Sequence, residues 1–164
     1  MRSLTRVFAP AALLTVLLAP SVVLAGGDWN DKDIDWQPYE KGLETAAAKK
    51  KPVCLVFFTE WCPHCQNYSG VFHDAKVVDK SKKFVMIRLD KDKNAEISKK
   101  FAPDGEYIPR TYFLKSDGGL ESSIHAPRDK YQYFYDEKDP APLLAGMDAV
   151  LAKSAPSAAA PAKK

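Results

Sequence analysis

The stretch "VCLVFFTEWCPHCQNY", residues 53–68, changes character at its centre. Val53 to Phe58 is short, β-prone and apolar at every position, as a strand buried on both faces reads. A helix is predicted to start at or just after Cys62, with Pro63 in its first turn, where a missing N–H costs nothing. Cys62 and Cys65 therefore fall on a strand-to-helix junction, separated by Pro63 and His64. A helix N-terminus presents unpaired N–H groups and the positive end of the macrodipole. A thiolate placed there is stabilised and becomes nucleophilic near neutral pH. Two intervening residues let the second sulfur reach the first across one turn. Cys62, nearer the tip, is expected to attack; Cys65, a turn inward, is expected to resolve the mixed disulfide. His64 favours the thiolate further, and a stabler thiolate makes the disulfide a stronger oxidant.

Two other uses of the pair compete. A closed structural zinc site needs four ligands, and the third cysteine, Cys54, lies on the apolar strand. Copper needs fewer and softer ligands, so the pair with His64 or His73 remains an alternative reading as a metal-handling site. A structural staple across so short a loop would restrict the unfolded chain very little. Redox chemistry is the favoured reading, with no metal and no cofactor beyond the disulfide itself. Cys54 reads as a small buried hydrophobe, and His73, expected towards the far end of the active-site helix, as a structural or surface residue.

Outward from the motif, Pro38 to Lys51 reads as a helix stopped by Pro52. Residues 84–90 ("FVMIRLD") and 110–115 ("RTYFLK") read as strands, with a short helix at 95–101 between them. Asp117-Gly118-Gly119 marks a hairpin turn leading into a fourth strand, "LESSIH". Residues 139–153 form a closing helix with Leu143, Leu144, Met147, Val150 and Leu151 on one face. "GGDWNDKDIDW", residues 26–36, is polar and is expected to be a loose arm. Strand-helix-strand units require parallel pairing and the hairpin is antiparallel, so an α/β fold with a mixed central sheet between helices is predicted.

The 164-residue chain is 46% hydrophobic and 27% charged, as a soluble domain with a real core would be. Residues 1–25 differ from the rest. Arg2 and Arg6 precede a charge-free apolar run ending Val23-Leu24-Ala25, the pattern of a cleavable secretory signal. Pro10 and Pro20 interrupt it, which disfavours a retained membrane anchor. Removing it takes two arginines from the 24 basic side chains and none of the 21 acidic ones, leaving a balance of +1. That balance is no footprint for nucleic acid. The predicted domain runs over residues 26–153, and residues 154–164, rich in Ala and Pro, form a disordered tail. An exported chain with three cysteines is not a disulfide scaffold, which again assigns the pair to chemistry.

"EWCPHC", the strand before it and "IPRTYFL" together resemble the thioredoxin superfamily. The resemblance implies a thioredoxin-like fold, a cis peptide at Ile108-Pro109, and a substrate groove made by Trp61, Pro63, Ile108 and Pro109. The Pro-His dipeptide is that of the oxidase DsbA. "FAPDGEYIPRTYFLKSDG", "KYQYFY" and "GMDAVL" resemble the small endoplasmic-reticulum thioredoxin-domain proteins of the anterior gradient group, over residues 36–152. Some members of that group lack one motif cysteine; this chain has both. The likeness implies an insertion around "APRDKYQYFY", with its aromatic residues packing that loop. Where thioredoxin carries a buried Asp six residues before its first cysteine, this chain has Val56, while Glu60 is expected at the surface. No KDEL-like ending is present, which points to the periplasm or secretion. Arg110 is expected either in a salt bridge or holding substrate groups.

The resulting expectation is an exported monomeric thiol-disulfide oxidoreductase. Its partners are cysteine-containing client proteins and a redox partner protein, and it acts as oxidase or isomerase rather than reductase. A client-binding thioredoxin-fold module is the remaining alternative.

Overall fold

The computed structural model describes residues 27–154. The predicted signal at 1–25 lies outside the described residues, as does the predicted tail except Ser154. Four strands form one sheet: β1 (Trp36–Gln37), β2 (Val53–Phe58), β3 (Val85–Asp90) and β4 (Arg110–Leu114), in the order β1-β3-β2-β4. β2 pairs parallel with β3 and antiparallel with β4, and β1 joins β3 in parallel. The mixed sheet follows from the connections: helices α1 to α3 carry the parallel crossovers, and β4 returns antiparallel.

β2 is the centre, and its alternation assigns each side chain to a face. Val53, Leu55 and Phe57 meet Ala46 of α1 (Tyr39–Lys49), Ile97 of α4 (Ala95–Lys100) and Tyr112. Cys54 and Val56 face α2 (Pro63–Ser69), α3 (Ala75–Ser81) and α5 (Ala141–Ser154), which contribute Cys65, Tyr68, Val77, Leu143 and Met147. Gly42 lets α1 lie close on β3, because a Cβ there would stand 2.5 Å from Ile87 Cδ1.

Four expectations are corrected. The arm at 26–36 is not loose where described: Trp29 and Ile34 are buried, and Trp36 extends the sheet as β1. Asn30 holds the arm down by donating from Nδ2 to the Phe72 carbonyl, and Trp36 Nε1 donates to the Trp29 carbonyl. Aromatic packing here overrides a polar local composition. Second, the active-site helix ends at Ser69, a 3₁₀ turn covers Gly70–His73, and α3 follows, capped by Asp74. Third, "LESSIH" is not a strand. The turn forms, but pairing stops at a single Leu114–Leu120 bridge. A strand would place Leu120 and Ile124 on the same face, whereas they pack against opposite faces of the sheet. Finally, α5 runs to Ser154, one residue into the predicted tail.

Candidate active site

Cys62 is the N-cap of α2, and Pro63 fills the first helical position. The Cys65 N–H donates to Cys62 Sγ at 3.2 Å, so the backbone itself supports electron density on that sulfur. The cysteines are free, and both are buried, Cys62 at 4% and Cys65 at 0% exposure. The residual opening is therefore at Cys62. Burial pushes the Cys65 thiol up, the hydrogen bond with Cys62 adds to this, and a bond with the Thr59 backbone partly opposes it. The inner sulfur thus holds its proton while the outer one meets solvent. Cys54 is also fully buried, and burial raises it as well.

The cis-proline loop closes the site from the other side. The Ile108-Pro109 bond is cis, and the Ile108 carbonyl lies 4.0 Å from Cys62 Sγ. Arg110 anchors this loop, and that corrects both readings of it. It makes no salt bridge and does not reach the surface. One guanidinium nitrogen donates to the Phe101 carbonyl at 2.9 Å and the Gly105 carbonyl at 3.0 Å; the other donates to Ser98 Oγ. Its charge is carried by carbonyl dipoles and by the rings of Phe57 and Tyr112, at 5.0 and 5.9 Å.

The segment 126–137, which contains the expected insertion, is fastened to the same loop. Asp104 Oδ2 accepts from the Tyr107 hydroxyl at 2.6 Å and the Gln132 N–H at 2.7 Å, and Tyr107 Oη accepts from the Tyr133 N–H. Tyr133 and Tyr135 are buried and pack this segment, but Tyr131 stands 56% exposed against Tyr107. The segment then runs to the active-site helix, where Glu137 accepts from His64 Nδ1 at 2.8 Å and Asn67 Nδ2 at 3.2 Å. His64 also stacks edgewise on Phe134, 5.8 Å between centroids.

Trp61 is 68% exposed beside Cys62, its Nε1 donating to Asp92 Oδ2 at 2.8 Å. Glu60 is at the surface with Lys93. Val56 is buried on the Cys65 side of the sheet. His73 reaches the Asp28 carbonyl and fixes the arm. Among the described residues, no three His, Cys, Asp or Glu side chains are grouped to hold a metal ion. The structure therefore brings Trp61, Cys62, Pro63, His64, Cys65, Ile108 and Pro109 to one end of the sheet. Sequence reading missed Glu137, Asp104 and Asp92. Glu137 lies 73 residues from His64 in a polar run with no motif around it.

A buried Cys-x-x-Cys at a helix start, faced by the carbonyl of the residue before a cis-proline, on a mixed sheet, defines a thioredoxin-like protein. The family model described as thioredoxin-like matches residues 35–116. Anterior gradient protein 3 of Xenopus tropicalis is 31% identical over 129 residues, covering 77% of this chain and 74% of the relative. The human anterior gradient protein 2 homolog is 30% identical over 124 residues, covering 75% and 69%. The solution structure of a thioredoxin from Thermus thermophilus matches with a TM-score of 0.56 at 21% identity, over 75% of this chain and 91% of that one, a likeness of fold. The chain belongs to the thioredoxin superfamily and is related within it to the anterior gradient proteins.

Proposed function

We propose that this protein is an exported thiol-disulfide oxidoreductase that exchanges disulfides with cysteines of client proteins, as an oxidase or isomerase rather than a reductase. The observation that carries the reading is the asymmetry of the pair. Cys62 Sγ sits at the helix cap beside the Ile108 carbonyl, while Cys65 is fully buried with its thiol pushed up. In the oxidising direction a client thiolate attacks Cys62 Sγ of the disulfide. The Cys62–Cys65 bond breaks, and Cys65 leaves with the electron pair and takes from solvent the proton that the client thiol gave up. A second client thiolate attacks the client sulfur of the mixed disulfide and releases Cys62 as thiolate. Two electrons pass from client to protein, and a redox partner protein takes them onward. The extended client backbone would lie along Ile108, with Trp61, Pro63 and Pro109 as the walls.

The direction rests on two features. Pro63-His64 favours the reduced form and so raises the potential. Val56 leaves Cys65 without a buried acid on β2 to take its proton, which slows its attack on a mixed disulfide. Export rests on the N-terminal sequence pattern. No helix among the described residues is long and apolar enough to cross a membrane.

The test is equilibration with glutathione, followed by tryptophan fluorescence. A potential above thioredoxin's ~−270 mV is expected, together with oxidation of a reduced dithiol peptide. Cys62→Ser should abolish exchange, and Cys65→Ser should accumulate mixed disulfide. A potential at or below that of thioredoxin would make the protein a reductase. Failure to form a reversible Cys62–Cys65 disulfide would overturn the redox reading altogether.

A further inference from the structure

His64 is the residue to which the oxidising character of the pair has been assigned, yet the structure does not leave its charge alone. Glu137 stands against it, Oε2 at 2.8 Å from Nδ1, with the carboxylate only 18% exposed while the imidazole is 64% exposed. The carboxylate is held from a second side by Asn67 Nδ2. His64 and Asn67 lie one turn apart on α2, so Glu137 bridges the face of the helix that carries Cys62 and Cys65 at its start. The other charges nearby are engaged locally. Arg128 stacks over Phe134 at 4.8 Å and donates to its carbonyl. Asp136 accepts from the Lys138 and Asp139 N–H groups, which hold its carboxyl below the usual carboxylate range. His64 and Glu137 are left as a matched pair next to the sulfurs.

Resting on the redox reading above, we propose that Glu137 is a positioning and charge-balancing residue of the redox pair. It holds the His64 ring on α2 and sets a carboxylate directly against it, so the Cys62–Cys65 couple is less oxidising than Pro63-His64 alone would make it. A cation near the sulfurs stabilises the reduced, thiolate-bearing form, and an anion destabilises it. A carboxylate paired to the cation removes most of the benefit. The same carboxylate also contributes, as the smallest of several causes, to the upward push on Cys65. Glu137 thereby acts as an electrostatic counterweight supplied from a distant segment of the chain.

Charge balance predicts a pattern that no merely structural contact would give. Glu137→Gln keeps the shape and an acceptor but leaves the imidazole uncompensated. The equilibrium constant with glutathione should shift at least about threefold towards reduced protein, about 14 mV more oxidising. His64→Gln leaves the carboxylate bare and should shift it at least threefold the other way. The double variant is neutral again and should return to within about twofold of the wild type. Melting temperatures of all four proteins, measured alongside, report folding separately. The proposal is overturned if Glu137→Gln leaves the constant unchanged or makes the protein less oxidising. It is equally overturned if the double variant stays at the His64→Gln value. Should Glu137→Gln not fold, Glu137→Asp serves in its place: the shorter side chain withdraws the charge, and the same sign of shift is required. A wild-type protein that forms no reversible disulfide would instead refute the redox reading, an outcome the glutathione titration shows before any variant is made.

Discussion

At Val56, on the function proposed above, the lack of a buried acid bears on how fast Cys65 attacks a mixed disulfide before a second client thiol does. Val56 points to the same face as Cys54 and Cys65 and pairs in register with Thr111, whose Oγ1 is 2.8 Å from the Tyr68 hydroxyl. Introducing a carboxylate by Val56→Asp would place a proton acceptor in the buried layer behind Cys65. Those two hydroxyls would offer it hydrogen bonds, so the cost should be about 2–4 kcal/mol rather than a complete loss of the fold. Decay of a mixed disulfide through Cys65 should accelerate by about tenfold or more. Stopped-flow decay of a mixed disulfide, with urea unfolding in parallel, measures both. An unchanged rate would mean that proton removal from Cys65 does not limit the step.

At the scale of elements, the segments that looked least structured secure the site. The arm at 27–35 places Trp29 against Trp36, Phe58, Tyr68 and Phe72, all with centroids within 6.2 Å. Arg88 of β3 covers this cluster and pairs with Asp31. Tyr68 belongs to the active-site helix, so the arm buttresses the helix that carries Cys62. Trp29→Ala should cost about 3–5 kcal/mol, read from urea unfolding, because a buried ring of that size leaves a cavity its neighbours cannot fill. A loss under about 1 kcal/mol would show that the arm merely lies on the surface. The segment 126–137 does the same for the other wall, joining Tyr133 and Gln132 to the loop before Pro109 and Glu137 to α2.

For the whole molecule, several ionisable hydroxyls and thiols are buried against the two faces of the sheet. Burial raises Tyr68, Tyr112, Tyr135 and Cys54 above their ordinary values, and Tyr107 is raised by burial and then by Asp104. Each folded-state value lies above the unfolded one, so the folded protein binds more protons once the unfolded chain begins to ionise. The stability these groups contribute is complete below their unfolded values, ~8.5 for the thiol and ~10 for the tyrosines, and is lost as pH rises from there through the folded values. Urea midpoints should be flat from pH 7 to about 8, decline gently from about 8.5 and fall steeply above about 10, with tyrosinate absorbance appearing together with unfolding. Tyrosinate appearing well before unfolding would contradict the burial.

What the sequence determined by itself was local. The apolar run at 53–58, Pro63 after Cys62, the turn at 117–119 and the Leu/Met/Val face of the last helix each follow from periodicity and backbone restriction, which neighbouring residues carry. The strand-to-helix step and the positions of Cys62 and Cys65 on it needed nothing more. Residues 27–36 and 120–125 depart from the sequence reading because their conformations follow from partners distant in the chain: Phe72 and Met86 for the arm, opposite faces of the sheet for Leu120 and Ile124. Sequence alone assigns Arg110 to a salt bridge or to substrate, because nothing near it in the chain reveals that carbonyls of Phe101 and Gly105 converge on it. Only the tertiary structure brought Glu137 to His64, across 73 residues. Electrostatic coupling depends on distance in space, and a pattern along the chain records that distance only where the backbone itself sets it.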